Sequence, residues 1–308
     1  MIRIISQKIF IVVSIFMISG IILFFPSPAP AADRPGPPPP PRERPKAPPA
    51  DKRLGPPLVQ IKWTKPIQPI TLAVDLAVKK ASYKASDGSV VNGYFNRPQG
   101  NGPFPAVMEL HGRSGQGDGR VAKTYDAWLA SQGYVGFSPN YAAPVGFNPA
   151  NLDTNYAPNL DKIRQYLGDG LDALKSLPYV DPNKIYVIGH SLGGEAALYL
   201  ATRDDVAAVC TYSAAVFPER QNIYPLGDLI SQIKAPMIMF HGDSDKIVPY
   251  FIAEVLELFF SYYRRDYELV AVPGADHVFD LEGVPWYHPK AAADAKAKML
   301  SFFKANTK

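Results

Sequence analysis

The sequence predicts an α/β fold: a mostly parallel central sheet with helices on both faces and an antiparallel hairpin at its N-terminal edge. Three observations predict it. From Phe104 to the C-terminus, apolar β-rich runs alternate with longer segments of helical period, as β-α-β units do when their crossovers cover a sheet. The run Phe104 to Leu110 is apolar without alternation, as a strand buried on both sides must be. Ahead of it, Ser86-Asp87-Gly88-Ser89 is a turn between two strand-like runs and closes a hairpin.

Composition limits where that fold begins. The chain has 308 residues, but the first 57 differ in kind from the rest, so residues 58–308 are expected to form one large domain. The formal net charge of +4 belongs to the N-terminal part. Residues 1–57 carry eight Lys/Arg against three Asp/Glu, leaving 24 against 25 elsewhere. A nearly neutral domain with no clustered basic face argues against a nucleic-acid or acidic-polymer partner. Cys210 is the only cysteine and lies in the apolar run Val206 to Tyr212, which excludes an internal disulfide or a cysteine metal site and predicts a buried strand residue.

Arg3 and Lys8 followed by the apolar run Ile9 to Phe25 read as an export signal, and Ala29-Pro30-Ala31-Ala32 offers a small-residue cleavage site. The run is seventeen residues long, enough to span a bilayer, so residues 1–32 are either a cleaved signal peptide or an anchor that tethers the protein through residues 9–25. Both readings place the domain outside the cytoplasm: periplasmic, secreted, or held at the membrane. Residues 33–57 continue a stretch in which Pro26 to Pro57 holds fourteen prolines, five of them consecutive from Pro37. Such a segment cannot build a core and is expected to be a polyproline II spacer.

Within the domain, Thr71 to Tyr83 and Ser89 to Asn96 are the strands of the hairpin, and Phe104 to Leu110 is the third strand. It runs into the glycine-rich loop His111 to Gly117, too irregular for a phosphate cradle. Val121 to Gln132 has helical period and stops at Gly133; Tyr134 to Ser138 is the next strand. Ala142 to Pro158, rich in Pro, Asn and aromatics, is a long loop placed to roof a pocket. Leu160 to Leu177 is an amphipathic helix ended by Pro178. After the strand that begins near Lys184 and its helix come strands Val206 to Tyr212 and Met237 to His241, a helix from Pro249 to Tyr263, a last strand Tyr267 to Val272 and a terminal helix from about Pro289 to Phe303.

The chemistry centres on Gly189-His190-Ser191-Leu192-Gly193, set between the β-branched strand Ile185 to Ile188 and an alanine-rich helix. A G-x-S-x-G pentapeptide in that setting is a sharp strand-to-helix turn, which projects the serine hydroxyl from the sheet and needs glycine at the flanking positions. It also aims the first helical N–H, that of Leu192, at the space before the hydroxyl. A serine at its free pKa is a poor nucleophile and needs a histidine oriented by a carboxylate. Of the five histidines, His111, His190 and His241 adjoin or end strands in motif positions, leaving His277 and His288 as bases. His277 follows the last strand, where a parallel sheet presents functional side chains. Asp245, in the loop after the preceding strand, is the acid chosen; Asp243 is two residues away, and Asp276 adjoins the histidine itself.

The chain order Ser191, Asp245, His277 is the order of α/β-hydrolases. From about Val74 to Phe303 the chain resembles the dienelactone hydrolase family of that fold, in its members with a serine nucleophile. The resemblance is carried by Glu109-Leu110-His111-Gly112, Gly189 to Gly193, Gly242-Asp243-Ser244-Asp245-Lys246-Ile247-Val248-Pro249 and Gly274-Ala275-Asp276-His277. It implies a catalytic triad of Ser191, Asp245 and His277, and an oxyanion hole from the backbone N–H groups of Leu192 and Arg113. Serine stands where the family's namesake uses cysteine, which implies an esterase of small or polymeric esters, or of lactones, rather than the namesake's own reaction. Glu109 falls where the namesake has a glutamate near its thiol, and is either functional or a structural carboxylate at a strand end.

Tyr141, Phe147, Tyr156, Trp286 and Tyr287 are candidates to line an acyl or leaving-group pocket, and Arg113 and Arg120 either attract a substrate carboxylate or are solvated loop charges. No metal or organic cofactor is called for. Two other readings stay open: a serine peptidase of related fold, and a surface binding module on an inactive hydrolase scaffold.

Overall fold

The computed structural model describes residues 57, 59–116, 119–148, 150, 156–216 and 226–307. Residues 1–32, which the sequence reads as an export signal or anchor, nearly all of residues 33–57, which it reads as a spacer, and part of the loop Ala142 to Pro158 lie outside the described residues. No described helix is long and apolar enough to cross a membrane.

Among the described residues the β-branched and aromatic runs form nine strands: β1 (Ala73–Asp75), β2 (Lys80–Lys84), β3 (Val90–Asn96), β4 (Phe104–Leu110), β5 (Val135–Pro139), β6 (Val180–His190), β7 (Ala208–Tyr212), β8 (Met237–Gly242) and β9 (Tyr267–Val272). They make one sheet in the order β1-β2-β3-β5-β4-β6-β7-β8-β9. The first three strands and the β3–β5 pair are antiparallel; every pairing from β5 through β4 to β9 is parallel. The helices are α1 (Arg120–Ser131), α2 (Leu160–Lys175), α3 (Leu192–Leu200), α4 (Leu226–Ser231), α5 (Phe251–Tyr262) and α6 (Pro289–Ala305).

Alternation along the buried strands assigns the two faces. Ile185 and Val187 of β6 join an apolar cluster with Leu167 of α2, Ala197 of α3, Leu229 of α4 and Leu256 of α5. Tyr186 and Ile188 point the other way, into a cluster with Leu129 of α1 and Met299 and Phe303 of α6. Cys210 lies in the second cluster, fully buried, as its apolar run predicts.

Three features depart from the sequence reading. The run Thr71 to Tyr83 is two strands, because the Asp75 carboxylate accepts hydrogen bonds from the N–H groups of Ala77 and Val78 and folds the chain back on itself. The edge hairpin β2–β3 is thereby extended by β1, with Ala73 opposite Ser82. Strand β6 starts at Val180, ahead of Lys184, since Val180 pairs with Phe104 before the strand enters the sheet interior. Helix α4 has too few residues for its period to register in the sequence.

Residues 59–64 run over α2, α4 and the end of α3, a course that nothing local in the sequence specifies. Val59 N–H donates to Asp228, Ile61 N–H to Gln232 Oε1 and Trp63 Nε1–H to Thr202 Oγ1, at 2.9, 2.8 and 2.9 Å. The guanidinium groups of Arg164 and Arg203 lie 5.3 and 5.4 Å from the Trp63 ring centre. The parallel register then sets the geometry that matters for chemistry: the loops after β6, β8 and β9 emerge at one edge of the sheet, carrying Ser191, Asp245 and His277.

Candidate active site

Ser191 sits between β6 and α3 with φ 54° and ψ −116°, a conformation that a non-glycine residue holds only when its surroundings enforce it. They do so through the backbone. Ser191 N–H donates to Tyr212 O at 2.9 Å, and Ser191 O accepts from Gly194 and Ala215 N–H at 2.8 and 2.9 Å. A Cβ at Gly189 would overlap the Gly193 carbonyl, and one at Gly193 the carbonyls of Leu110 and His111. The two framing glycines are therefore demanded by contact between the elbow, its own helix and the end of β4. Gly112 brings the loop after β4 against the nucleophile; a Cβ there would lie 3.1 Å from Ser191 Cβ.

His277 and Asp245, 32 residues apart, meet at 2.8 Å between Nδ1 and Oδ2. Both are buried. With a carboxylate as acceptor Nδ1 carries the proton, which leaves Nε2 as the lone-pair nitrogen. The other Asp245 oxygen accepts from Ile247 and Val248 N–H at 2.9 and 2.8 Å. His241, absent from the sequence reading of the site, donates from Nε2 to Val248 O at 2.8 Å and lies 3.4 Å from Asp245 Oδ2. Burial pushes the Asp245 carboxyl upward, but hydrogen bonds from His241 and His277 and the attraction of His277 outweigh it and hold the group well below the usual carboxylate range. The local signal for His241 was its i, i+4 spacing to Asp245 across the loop.

The competing residues have other work. Asp243 Oδ1 accepts from Gly274 N–H at 2.8 Å, and Asp276 Oδ1 from Lys246 and His277 N–H at 3.0 and 2.8 Å, so both staple the loop after β8 to the loop after β9. His288 is exposed and caps α6, its Nδ1 accepting from Ala291 N–H.

Ser191, Leu192, Arg113, His277 and Trp286 line one cavity of about 470 Å³. Arg120 and the apolar side chains of Val121, Ile247, Val248, Leu281 and Val284 complete much of its wall. Tyr141, Phe147 and Tyr156 are not in this lining, which corrects the sequence reading. Tyr141 is fully buried behind the loop, stacked on the His111 ring at 4.3 Å with its hydroxyl donating to His111 O at 2.8 Å. Phe147 packs edge-on against Tyr156. Position in a loop near the site did not distinguish rings that support the loop from rings that face the cavity. Tyr287 likewise packs against the apolar cluster of α1 and α6.

Glu109 does not line the cavity either. It is fully buried in β4, where its Oε2 accepts from Ser138 Oγ at 2.9 Å. Burial, then the nearby Asp126 carboxylate, raises its pKa well above the usual range; burial likewise raises Asp126 to about 7. A carboxyl whose pKa is raised by folding stabilises the fold at low pH, and that stability is lost as the pH rises from the unfolded value through the folded one. For Asp126 the window runs from about 4 to about 7. The urea midpoint should fall as pH rises through this range and beyond, and Glu109→Gln, which removes one of the two titrating groups, should flatten the fall. An identical pH profile in the variant would contradict this account.

The sequence profile of the dienelactone hydrolase family matches residues 91–307. The chain is 28% identical over 192 residues to a carboxymethylenebutenolidase of Pseudomonas sp., covering 58% of this chain and 76% of that protein. It is 26% identical over 230 residues to a Yersinia pestis protein named "Putative carboxymethylenebutenolidase", covering 71% of this chain and 85% of that one. Among solved structures, a dienelactone hydrolase-like promiscuous phosphotriesterase from metagenomic libraries superposes with a TM-score of 0.62 at 23% identity, covering 74% of this chain and 98% of that chain. The sheet order, the helix layers and the profile match agree, and the chain belongs to the dienelactone hydrolase family of α/β-hydrolases.

Proposed function

We propose that this protein is a serine hydrolase that cleaves carboxylic esters or lactones through an acyl-enzyme on Ser191. The observation that carries the reading is a strained serine and a buried, carboxylate-bound histidine on the wall of one cavity. Ser191 Oγ attacks the carbonyl carbon while His277 Nε2 takes the hydroxyl proton, and Asp245 holds the imidazole in that tautomer and stabilises its cation. The N–H groups of Leu192 and Arg113 take the developing oxyanion. His277 returns the proton to the leaving oxygen; water then repeats the sequence on the acyl-enzyme. Relatives named for a lactone support ester or lactone carbonyls as the target. The apolar wall of Val121, Ile247, Leu281 and Val284 favours an apolar acyl or leaving group.

A fluorophosphonate probe should label the protein at one site per chain, and labelling should vanish in Ser191→Ala. Persistent labelling of that variant would overturn the assignment. The apolar run Ile9 to Phe25 further supports an exported enzyme, secreted, periplasmic or tethered.

A further inference from the structure

Behind the elbow lies a second buried histidine–carboxylate pair that the proposed reaction does not use. His190 Nε2 donates to Asp280 Oδ2 at 2.7 Å, and Tyr125 Oη–H donates to the same oxygen at 2.6 Å. All three side chains are fully buried. The His190 ring is stacked on Tyr212, with centres 5.0 Å apart and planes 4° from parallel, and makes a tilted contact with Tyr125 at 5.3 Å. Lys296, with its ammonium 4.8 Å from the Tyr125 ring centre, supplies positive charge on that side of the network.

What distinguishes this cluster from an ordinary buried polar group is where its members sit in the chain. His190 immediately precedes Ser191, and Asp280 lies three residues beyond His277. The His190–Asp280 bond therefore ties the residue just before the nucleophile to the loop that carries the base. The same carboxylate holds Tyr125 of α1, one turn beyond Val121, which lines the cavity. Between His277 and Asp280 the backbone is strained: Val278, β-branched and buried, has φ 43°. A conformation of that kind persists only when its surroundings over-determine it, and the bonds to Asp280 do so from one side while Ser213 Oγ accepts from Val278 N–H at 3.2 Å on the other.

We infer that Asp280 is a positioning residue, which sets the separation of Ser191 and His277 by tying the loop after β9 to the nucleophile elbow through His190 and to α1 through Tyr125. The inference rests on the serine-hydrolase reading above. A displacement of about 1 Å between reacting groups can cost on the order of 10²-fold in rate, with substrate binding little changed.

The test uses Asp280→Ala, Asp280→Asn and Tyr125→Phe in the full-length chain, with a soluble p-nitrophenyl ester for kcat and KM and a fluorophosphonate probe for the rate and the final extent of labelling. Asp280→Ala should lower kcat by about 10²-fold with KM within about twofold of wild type. Labelling should slow by a similar factor yet still reach one probe per chain. Asp280→Asn keeps an oxygen able to accept from Tyr125 and His190, and should recover most of the loss. Tyr125→Phe, which deletes one of the two bonds, should show the same pattern at a smaller amplitude, and decides the matter if the alanine variant does not fold. Labelling that stops at a fraction of the chains, with that fraction reacting at the wild-type rate, would mean that Asp280 serves folding alone and would overturn the inference. So would wild-type kcat in Asp280→Ala. Turnover that survives Ser191→Ala is a separate failure: it removes the serine-hydrolase reading, and this inference with it, whatever the Asp280 variants do.

Discussion

Ser191→Ala is expected to reduce turnover of p-nitrophenyl acetate by a factor on the order of 10⁶, while far-UV circular dichroism and the urea midpoint stay close to wild type. The size follows from what the hydroxyl does in the proposed reaction. Without it no acyl-enzyme forms, and water attacking directly must be activated by a histidine held for a different nucleophile. Stability should survive because the elbow is held by backbone hydrogen bonds of Ser191, Gly194 and Ala215, none of which uses the side chain. Alanine at a positive φ is strained to the same degree as serine, so the variant inherits the strain and adds none. Turnover within a factor of about ten of wild type would remove Ser191 from the chemistry.

Asp245→Asn should lower kcat by about 10⁴-fold, and the local geometry says why an amide fails. One carboxylate oxygen is committed to the N–H groups of Ile247 and Val248. An asparagine keeps its carbonyl oxygen there and turns its NH₂ towards His277. Facing a donor, Nδ1 must become the acceptor, so the imidazole proton moves to Nε2 and the ring can no longer take the proton from Ser191. The stability readout is independent of the kinetics. Because the folded-state pKa of Asp245 is depressed, its ionisation stabilises the fold fully above the usual carboxylate range, and that stability is lost as the pH falls through the depressed value. Asp245→Asn lacks this contribution, so the difference in urea midpoint between variant and wild type should shrink in acid. Wild-type kcat in a folded Asp245→Asn protein would sink the role given to the carboxylate.

The features legible before folding share a physical origin. The elbow is local: the apolar end of the strand from Ile185, the serine and the two glycines lie within nine residues, and the glycines answer steric demands made by the following helix and the end of the adjoining strand. The parallel sheet is legible because burial on both faces leaves unbroken apolar runs such as Phe104 to Leu110. Chain order then brings Ser191, Asp245 and His277 to one edge, because parallel strands all end on the same side. Turn chemistry was read at Ser86 to Ser89 but missed at Asp75, where one carboxylate in an otherwise strand-like run redirects the backbone.

By itself, therefore, the sequence determined the class of fold, the identity of the family and three candidate side chains, since periodicity, glycine placement and strand-end position are properties of short segments. Only the tertiary structure decided that Trp286 faces the cavity while Tyr141 stands behind its loop, that Trp63 reaches Thr202 across 139 residues, and that His190 meets Asp280 across 90. Those outcomes depend on which side chains the packing of separate helices and loops brings within hydrogen-bonding distance. No local pattern encodes them, because the free energy that selects them arises only once the layers have closed over the sheet.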